Sequence, residues 1–343
     1  MEQRQQHTGT AAHGPPAAGS MMQAIVQDTY GSADVLRLAR ISVPEIAASE
    51  VLLRVHAAGL DRGAWHLMTG TPYLLRVVFG IGKPKNPVRG REVAGTVVAA
   101  GPSVTRFSPG DQVYGIGRGT FAEYAAARED KLARMPANAS FEQAAVAAVS
   151  ALTALQALTD AGRVKSGDRV LVIGASGGVG SHAVQLAKAF GADVTGVCST
   201  AKLDLVQSLG ADHVIDYTTE DFADGGHRYD LILDIAGNPA PSRLRRALTA
   251  TGTAVLVGGE DGGLLTGGLG RQLQARALSL LVRQRLTTVL CKERCADLER
   301  LTELIEAGKL TPSVDRSYPL DEVAEAMRFL ETGKTRGKIA ITA

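Results

Sequence analysis

Residues 169 to 190 restrict the folds open to this chain more than any other segment. The run Arg169-Val-Leu-Val-Ile173 passes directly into Gly174-Ala175-Ser176-Gly177-Gly178-Val179-Gly180, and an amphipathic stretch from Ser181 to Phe190 follows without a linker. A strand, a glycine-rich turn and a helix in that order match the first βα unit of a dinucleotide-binding sheet. Such a turn needs a tight bend, then backbone free of Cβ beside the diphosphate, then a small residue where helix and strand pack. Gly177 and Gly180 meet the second and third needs, while Ala175 stands where glycine is more usual. Free N–H groups and the positive end of the helix dipole would face the diphosphate. The plain alternative is a close-packed turn of any α/β protein. The strand before, the helix after and the further βα units favour binding, with Ser176, Gly177, Gly178, Val179 and Gly180 as the cradle. A Walker-type phosphate loop is disfavoured, because no Gly-Lys-Ser/Thr follows.

Charge chooses between the dinucleotides. An NAD site usually carries Asp or Glu about 20 residues on, at the end of the second strand, to accept from the ribose 2′-hydroxyl. Here that strand is Asp193–Cys198, followed by Ser199-Thr200-Ala201-Lys202, and no carboxylate stands at its end. Lys202 would attract a 2′-phosphate and Ser199 would donate to it. NADP(H) is the expected cofactor, with NAD(H) as the alternative; a lysine that merely starts a solvated helix is the plain reading of Lys202.

The 343 residues suggest two domains at about 150 each. Residues 1–20 hold no aromatic or branched aliphatic side chain and are expected to be a disordered tail without a signal-peptide core. From Met22 to Phe141, short Val-, Ile- and Leu-rich runs at 23–27, 50–58, 93–100 and 112–115 alternate with Pro- and Gly-containing turns, which predicts an antiparallel β domain. Beyond Phe141, strands at 169–173, 193–198, 213–216, 230–234 and 253–257 alternate with helical patterns at 178–190, 202–209 and 241–249, which predicts a doubly wound parallel sheet. A helix at 295–307 follows, and strands at 313–318 and 338–342 flank a helix at 321–332. The expected division is 21–148 with 313–343 as one domain and 149–312 as the other. A formal charge of +2 gives no reason to expect nucleic acid, and the purely apolar runs are far short of the roughly 20 residues of a membrane span. Three cysteines exclude a disulfide framework, and Cys291 and Cys295, four apart, read as structural. A cytoplasmic enzyme is the expectation.

A series of segments in fixed order resembles the medium-chain dehydrogenase/reductase superfamily over roughly residues 22 to 343. They are Val55-His-Ala-Ala-Gly59, Gly90-Arg-Glu-Val-Ala-Gly95, Pro109-Gly-Asp-Gln-Val113, Phe121-Ala-Glu-Tyr124, Leu152-Thr-Ala154, the turn at 174–180, Leu209-Gly-Ala-Asp-His-Val-Ile-Asp-Tyr217, Asp234 with Gly237, and Arg336-Gly-Lys338. The resemblance implies an α/β chain with a GroES-like β-barrel substrate domain, a Rossmann domain and a nicotinamide site between them. Carried over by position, Thr153 resembles the carboxamide contact, and Val257, Gly258 and Gly259 resemble the turn beside the nicotinamide. Tyr217 resembles the residue near the adenosine phosphate, and Lys338 the closing contact from the last strand.

The departures set the chemistry. Zinc members of the superfamily place Cys and His where this chain has Asp61 and Arg91, and the third position lies near Ser150. Arg cannot ligate zinc, and the four-Cys structural lobe is missing, so no metal is expected. The chain is therefore similar to the zinc-independent, quinone oxidoreductase-like branch, which passes hydride from NADPH to quinones or α,β-unsaturated carbonyls. Candidate catalytic groups are Asp61, His66 and Tyr73; a helix-surface role for His66 and a core role for Trp65 are the plain readings. The long segment Pro72–Val88 is expected to roof the cleft, and its apolar residues suggest a small hydrophobic carbonyl or quinone. Two further readings stay open: a zinc-free NAD(P)-dependent alcohol dehydrogenase, and an NADPH-binding scaffold or sensor with little turnover. A homodimer through an edge strand at Arg283–Val289 is expected.

Overall fold

Side chains that alternate across short strands build the first sheet. The computed structural model describes residues 16–17, 19–224, 226–235, 239–259 and 263–343. The expected tail at 1–20 and Gly237 therefore lie largely or wholly outside the described residues. β1 (Met21–Val26) pairs antiparallel with β2 (Arg37–Ser42). β3 (Glu50–Leu60) is followed by α1 (Arg62–Thr69) and α2 (Leu75–Phe79), then by β4 (Glu92–Ala100), β5 (Gln112–Ile116), β6 (Tyr124–Arg128) and β7 (Leu132–Arg134). Val51, Leu53 and Val55, two residues apart on β3, pack against Val93, Val97, Val113 and Leu132 in a closed core. β6 reads Tyr-Ala-Ala-Ala-Arg and carries no strand signal of its own; pairing with β3 makes it one.

α3 (Phe141–Gln156) opens with a capping box. Ser140 accepts from the Gln143 amide at 3.2 Å, and the Gln143 side chain accepts from the Ser140 amide at 3.0 Å. Its many alanines let it lie between β3, β4 and the second sheet with little bulk. A π turn extends it to Gly162, so 22 consecutive helical residues are long and apolar enough to span a bilayer, but most of that stretch is buried inside the protein. The sequence reading found no such stretch because it counted uninterrupted apolar residues, and Ser, Thr and Gln punctuate this one.

The second sheet contains β8 (Arg169–Ile173), β9 (Asp193–Cys198), β10 (His213–Asp216), β11 (Tyr229–Asp234), β12 (Leu248–Leu256) and β13 (Arg285–Thr288), all parallel, in the spatial order β10-β9-β8-β11-β12-β13. α4 (Gly178–Ala189), α5 (Leu203–Ser208), α6 (Pro241–Ala247) and α7 (Leu269–Ser279) connect them. This is the doubly wound arrangement, and its order reverses between β8 and β11, the place where open α/β sheets bind ligands. β13 is an outer strand, as expected of that segment. α7 went unread because Ala275 alone is buried along its length. Cys291 sits in a loop and Cys295 opens α8 (Cys295–Glu306), so the two do not share a helical face.

The chain then returns to the first sheet. β14 (Val314–Pro319), α9 (Val323–Glu331) and β15 (Lys338–Thr342) follow α8, and β15 pairs antiparallel with β3, placing Ile341 opposite Ala58.

Candidate active site

The glycine turn sits at the strand-order reversal. Gly177 is the N-cap of α4 and offers no capping side chain, so the first-turn amides that follow have no intrahelical acceptor. A Cβ on Gly180 would lie 2.1 Å from the Gly174 carbonyl oxygen and 2.8 Å from Ala175 backbone, so only glycine lets helix and turn pack. On Gly177 the nearest atom would be 3.6 Å away, and that side is open. Ala175 is accommodated where glycine is usual because it faces Gly196 and its amide donates to Val197 at 3.0 Å. His182, buried one turn on, donates through Nδ1 to Gly178 at 2.7 Å; burial pushes its imidazole down to about 4, so it stays neutral. Open amides, a cradle with room and the reversal together fit a dinucleotide diphosphate.

At the neighbouring strand ends, the Val257 amide donates to Asp234 at 2.9 Å, and a Cβ on Gly258 would meet Ile235 oxygen at 1.9 Å. Arg271 of α7 pairs with the fully buried Asp234 and donates to the Gly258 carbonyl at 2.7 Å. Sequence reasoning missed Arg271, which lies 37 residues from its partner. Gly259 is the last described residue of this turn before 263.

Around the expected 2′-phosphate position, Ser199 is half-buried and Tyr217 is 62% exposed. The Lys202 ammonium donates to the carbonyls of Gly333 and Thr335, each at 2.8 Å, and burial pushes it below the usual lysine range. Arg336 stands beside it, donating to Ala201 at 2.6 Å and pairing with Asp204. The nearest strand-end carboxylate, Asp216, is committed to Thr200 and Thr218. Among the described residues, Lys202 and Arg336 stand at this corner, and the neighbouring carboxylates Asp204, Asp216 and Asp315 all accept hydrogen bonds from the protein.

Lys338 differs from its expected role. It is 2% exposed, and its ammonium pairs with Glu92 of β4, itself 1% exposed, leaving only its aliphatic stem against Gly178. Glu92 also accepts from the Val149 amide at 2.8 Å, and burial pushes its carboxyl up to about 7. Lys338 therefore ties β15 to β4 within the first sheet, with its stem against the start of α4, and does not offer its charge to a diphosphate. Glu92 had no role in the sequence reading; a lone carboxylate opening an apolar strand was the available signal. Thr153 of α3 donates to Val149 at 2.8 Å and lies half-buried beside Cys291.

Next to this junction lies a cleft of about 250 Å³ with Gly59, Asp61, Leu67, Phe79, Arg89 and Arg91 among its walls. Of the three catalytic candidates, Asp61 alone lines it. Asp61 caps α1 by accepting from the Ala64 amide at 2.8 Å. α1 turns Ala64 and Leu67 to the cleft, which leaves His66 on another face, donating through Nδ1 to Thr71 at 2.7 Å with Trp65 against its edge. Trp65 packs on the core of the first sheet and donates to Glu331. Tyr73 is 43% exposed under the Arg76 guanidinium and is likewise outside the cleft. Neither position could be corrected from sequence, because helix phase relative to a cleft is a tertiary property. The segment 72–88 does supply a wall, through Val78, Phe79, Lys85, Asn86 and Val88. Arg91 pairs with Glu293, and among the described residues no three His, Cys, Asp or Glu side chains cluster as a metal set.

Residues 47–137 match the family model described as alcohol dehydrogenase GroES-like domain, and residues 209–341 match the one described as zinc-binding dehydrogenase. The chain is 33% identical to a chloroplastic quinone-oxidoreductase homolog of Spinacia oleracea, over 94% of this chain and 99% of that one. It is 34% identical to a chloroplastic NADPH-dependent alkenal/one oxidoreductase of Arabidopsis thaliana, over 93% of this chain and 79% of the other. Among solved structures it resembles the quinone oxidoreductase from Coxiella burnetii, with a TM-score of 0.84, 29% identity and coverage of 94% and 100%.

Proposed function

Because this chain belongs to the medium-chain dehydrogenase/reductase superfamily, in its quinone oxidoreductase-like branch, and is an NAD(P)H-dependent oxidoreductase, we propose that it reduces quinones or α,β-unsaturated carbonyls with NADPH and without zinc. The observation that carries this reading is Arg91 in the cleft wall beside Asp61, a permanently charged side chain that cannot ligate a metal where the zinc members supply a ligand. Without a Lewis acid a simple alcohol is hard to activate, whereas a quinone or enone already has an electrophilic carbon.

The turn at 174–180 would hold the diphosphate, Thr153, Val257 and Gly258 would border the nicotinamide, and Ser199, Lys202 and Arg336 would take the 2′-phosphate. When bound, the nicotinamide supplies the hydride. Leu67, Val78, Phe79 and Val88 exclude water around the substrate, and the Arg91 guanidinium in the wall stabilises negative charge that develops on its oxygen. Asp61, held as a helix cap, fixes the start of α1 beside that charge.

Steady-state NADPH oxidation with quinones, enones, aldehydes and alcohols, run beside elemental metal analysis, tests the reading. Turnover of quinones or enones that is indifferent to chelators is expected. Chelator-sensitive alcohol oxidation with stoichiometric zinc would overturn it. In the same assay the protein is expected to bind NADPH more tightly than NADH, and Lys202→Ala to narrow that preference about tenfold, the worth of one charge-assisted contact. An unmodified protein that prefers NADH would contradict this.

A further inference from the structure

The cleft wall is more cationic than a neutral carbonyl compound requires. Lys85, Arg89, Arg91 and Arg118 line it against one carboxylate, Asp61. Three of these cations are engaged elsewhere. Arg91 pairs with Glu293, Arg118 lies 3.4 Å from Glu50, and Lys85 donates to the Val78 carbonyl at 2.8 Å.

Arg89 is different. It is 8% exposed, and among the described residues no carboxylate pairs with it. Its guanidinium makes one contact, to the Leu67 carbonyl at 3.3 Å, and its Nε is buried with no partner. Burial lowers the guanidinium from its usual value, yet an arginine stays charged at neutral pH. A buried cation with five donors and one long acceptor contact is under-compensated, and an anion in the adjoining cleft would relieve that. The planar fork of a guanidinium matches a carboxylate, and a cleft of about 250 Å³ admits a small molecule.

We propose that Arg89 is a specificity-determining residue that binds a carboxylate on the substrate, so that this reductase prefers small unsaturated carbonyl compounds bearing an acid group over their neutral analogues. This rests on the reductase reading above. Leu67 lies in the last turn of α1, so Arg89 also meets the negative end of that helix. A helix cap alone would lower stability on mutation and leave substrate choice untouched.

The test compares trans-4-oxo-2-pentenoate with its methyl ester, which share one electrophilic alkene and differ in charge. In the full-length protein with NADPH, kcat/KM for the acid is expected to exceed that for the ester at least tenfold. In Arg89→Met the ratio falls to near one, chiefly through KM for the acid, and Arg89→Lys keeps part of the preference. Melting temperatures show whether each variant is folded. Calorimetric titration of the NADPH-loaded protein with 4-oxopentanoate and its methyl ester reads the same preference without turnover. Carboxylate-selective binding lost in Arg89→Met, with no reduction of either alkene, would support this inference and refute the reductase reading. Equal affinity of the unmodified protein for acid and ester, or a preference that survives in folded Arg89→Met, would overturn it.

Discussion

Gly180→Val is expected to cost the protein its fold, whereas Gly177→Val keeps the fold and loses the nucleotide. A side chain at 180 begins 2.1 Å from the Gly174 carbonyl oxygen and 2.8 Å from Ala175, and both obstacles are backbone that cannot rotate away. Helix and turn must separate, at a cost of about 3 kcal/mol or more, a large part of the stability of an ordinary domain. Position 177 has φ −86°, an ordinary value, and nothing nearer than 3.6 Å to a new Cβ. Valine there projects into the space a diphosphate needs, and the dissociation constant for NADPH should rise about 100-fold, or about 2.7 kcal/mol. Thermal unfolding and fluorescence titration separate the two outcomes. A folded Gly177→Val protein with normal affinity would show that the turn does not bind the cofactor.

Lys338→Met is expected to destabilise the protein by about 3 kcal/mol at neutral pH, because it strands the Glu92 carboxyl in a site without solvent. The pH dependence follows from the raised pKa of Glu92. Its carboxyl is lifted from 4.5 to about 7 in the folded chain, so between these values the native state holds a proton that the unfolded state lacks. Stability from this group therefore falls as pH rises through that window and levels off above it. Without the ammonium of Lys338 the native value moves higher, and the fall continues past neutrality at about 1.4 kcal/mol per pH unit. Urea unfolding at about pH 6 and about pH 8 should show the gap between Lys338→Met and the unmodified protein widening with pH. The double change Glu92→Gln with Lys338→Met should recover most of the loss. A gap that is constant with pH would mean that the carboxyl does not carry the cost.

Local patterns were legible in the sequence, and long-range pairings were not. The bounds of β8, β9, β10 and β15 follow from apolar runs ended by glycine or charge, and α4 follows from the turn that feeds it. β6 and α3 were obscured because alanine gives weak periodicity, and neighbouring strands decide what it becomes. The strand reading began at Val93 and stopped one residue short of Glu92, whose partner Lys338 lies 246 positions away. Asp61 was found because it replaces a ligand within a recognisable segment. His66 and Tyr73 were named from proximity to it, and the rotation of α1 placed them elsewhere.

The return of the chain to its first sheet has a consequence for synthesis. β6 covers β3 only from Glu50 to Arg54, and Leu60 pairs with Ile339, so nearly the whole polypeptide must leave the ribosome before the far end of β3 gains β15. Until then an apolar strand edge stays unsatisfied, while the parallel sheet can already assemble behind it. Maturation is thus expected to run against the order of translation, with the early half waiting for the late one and exposed to aggregation meanwhile.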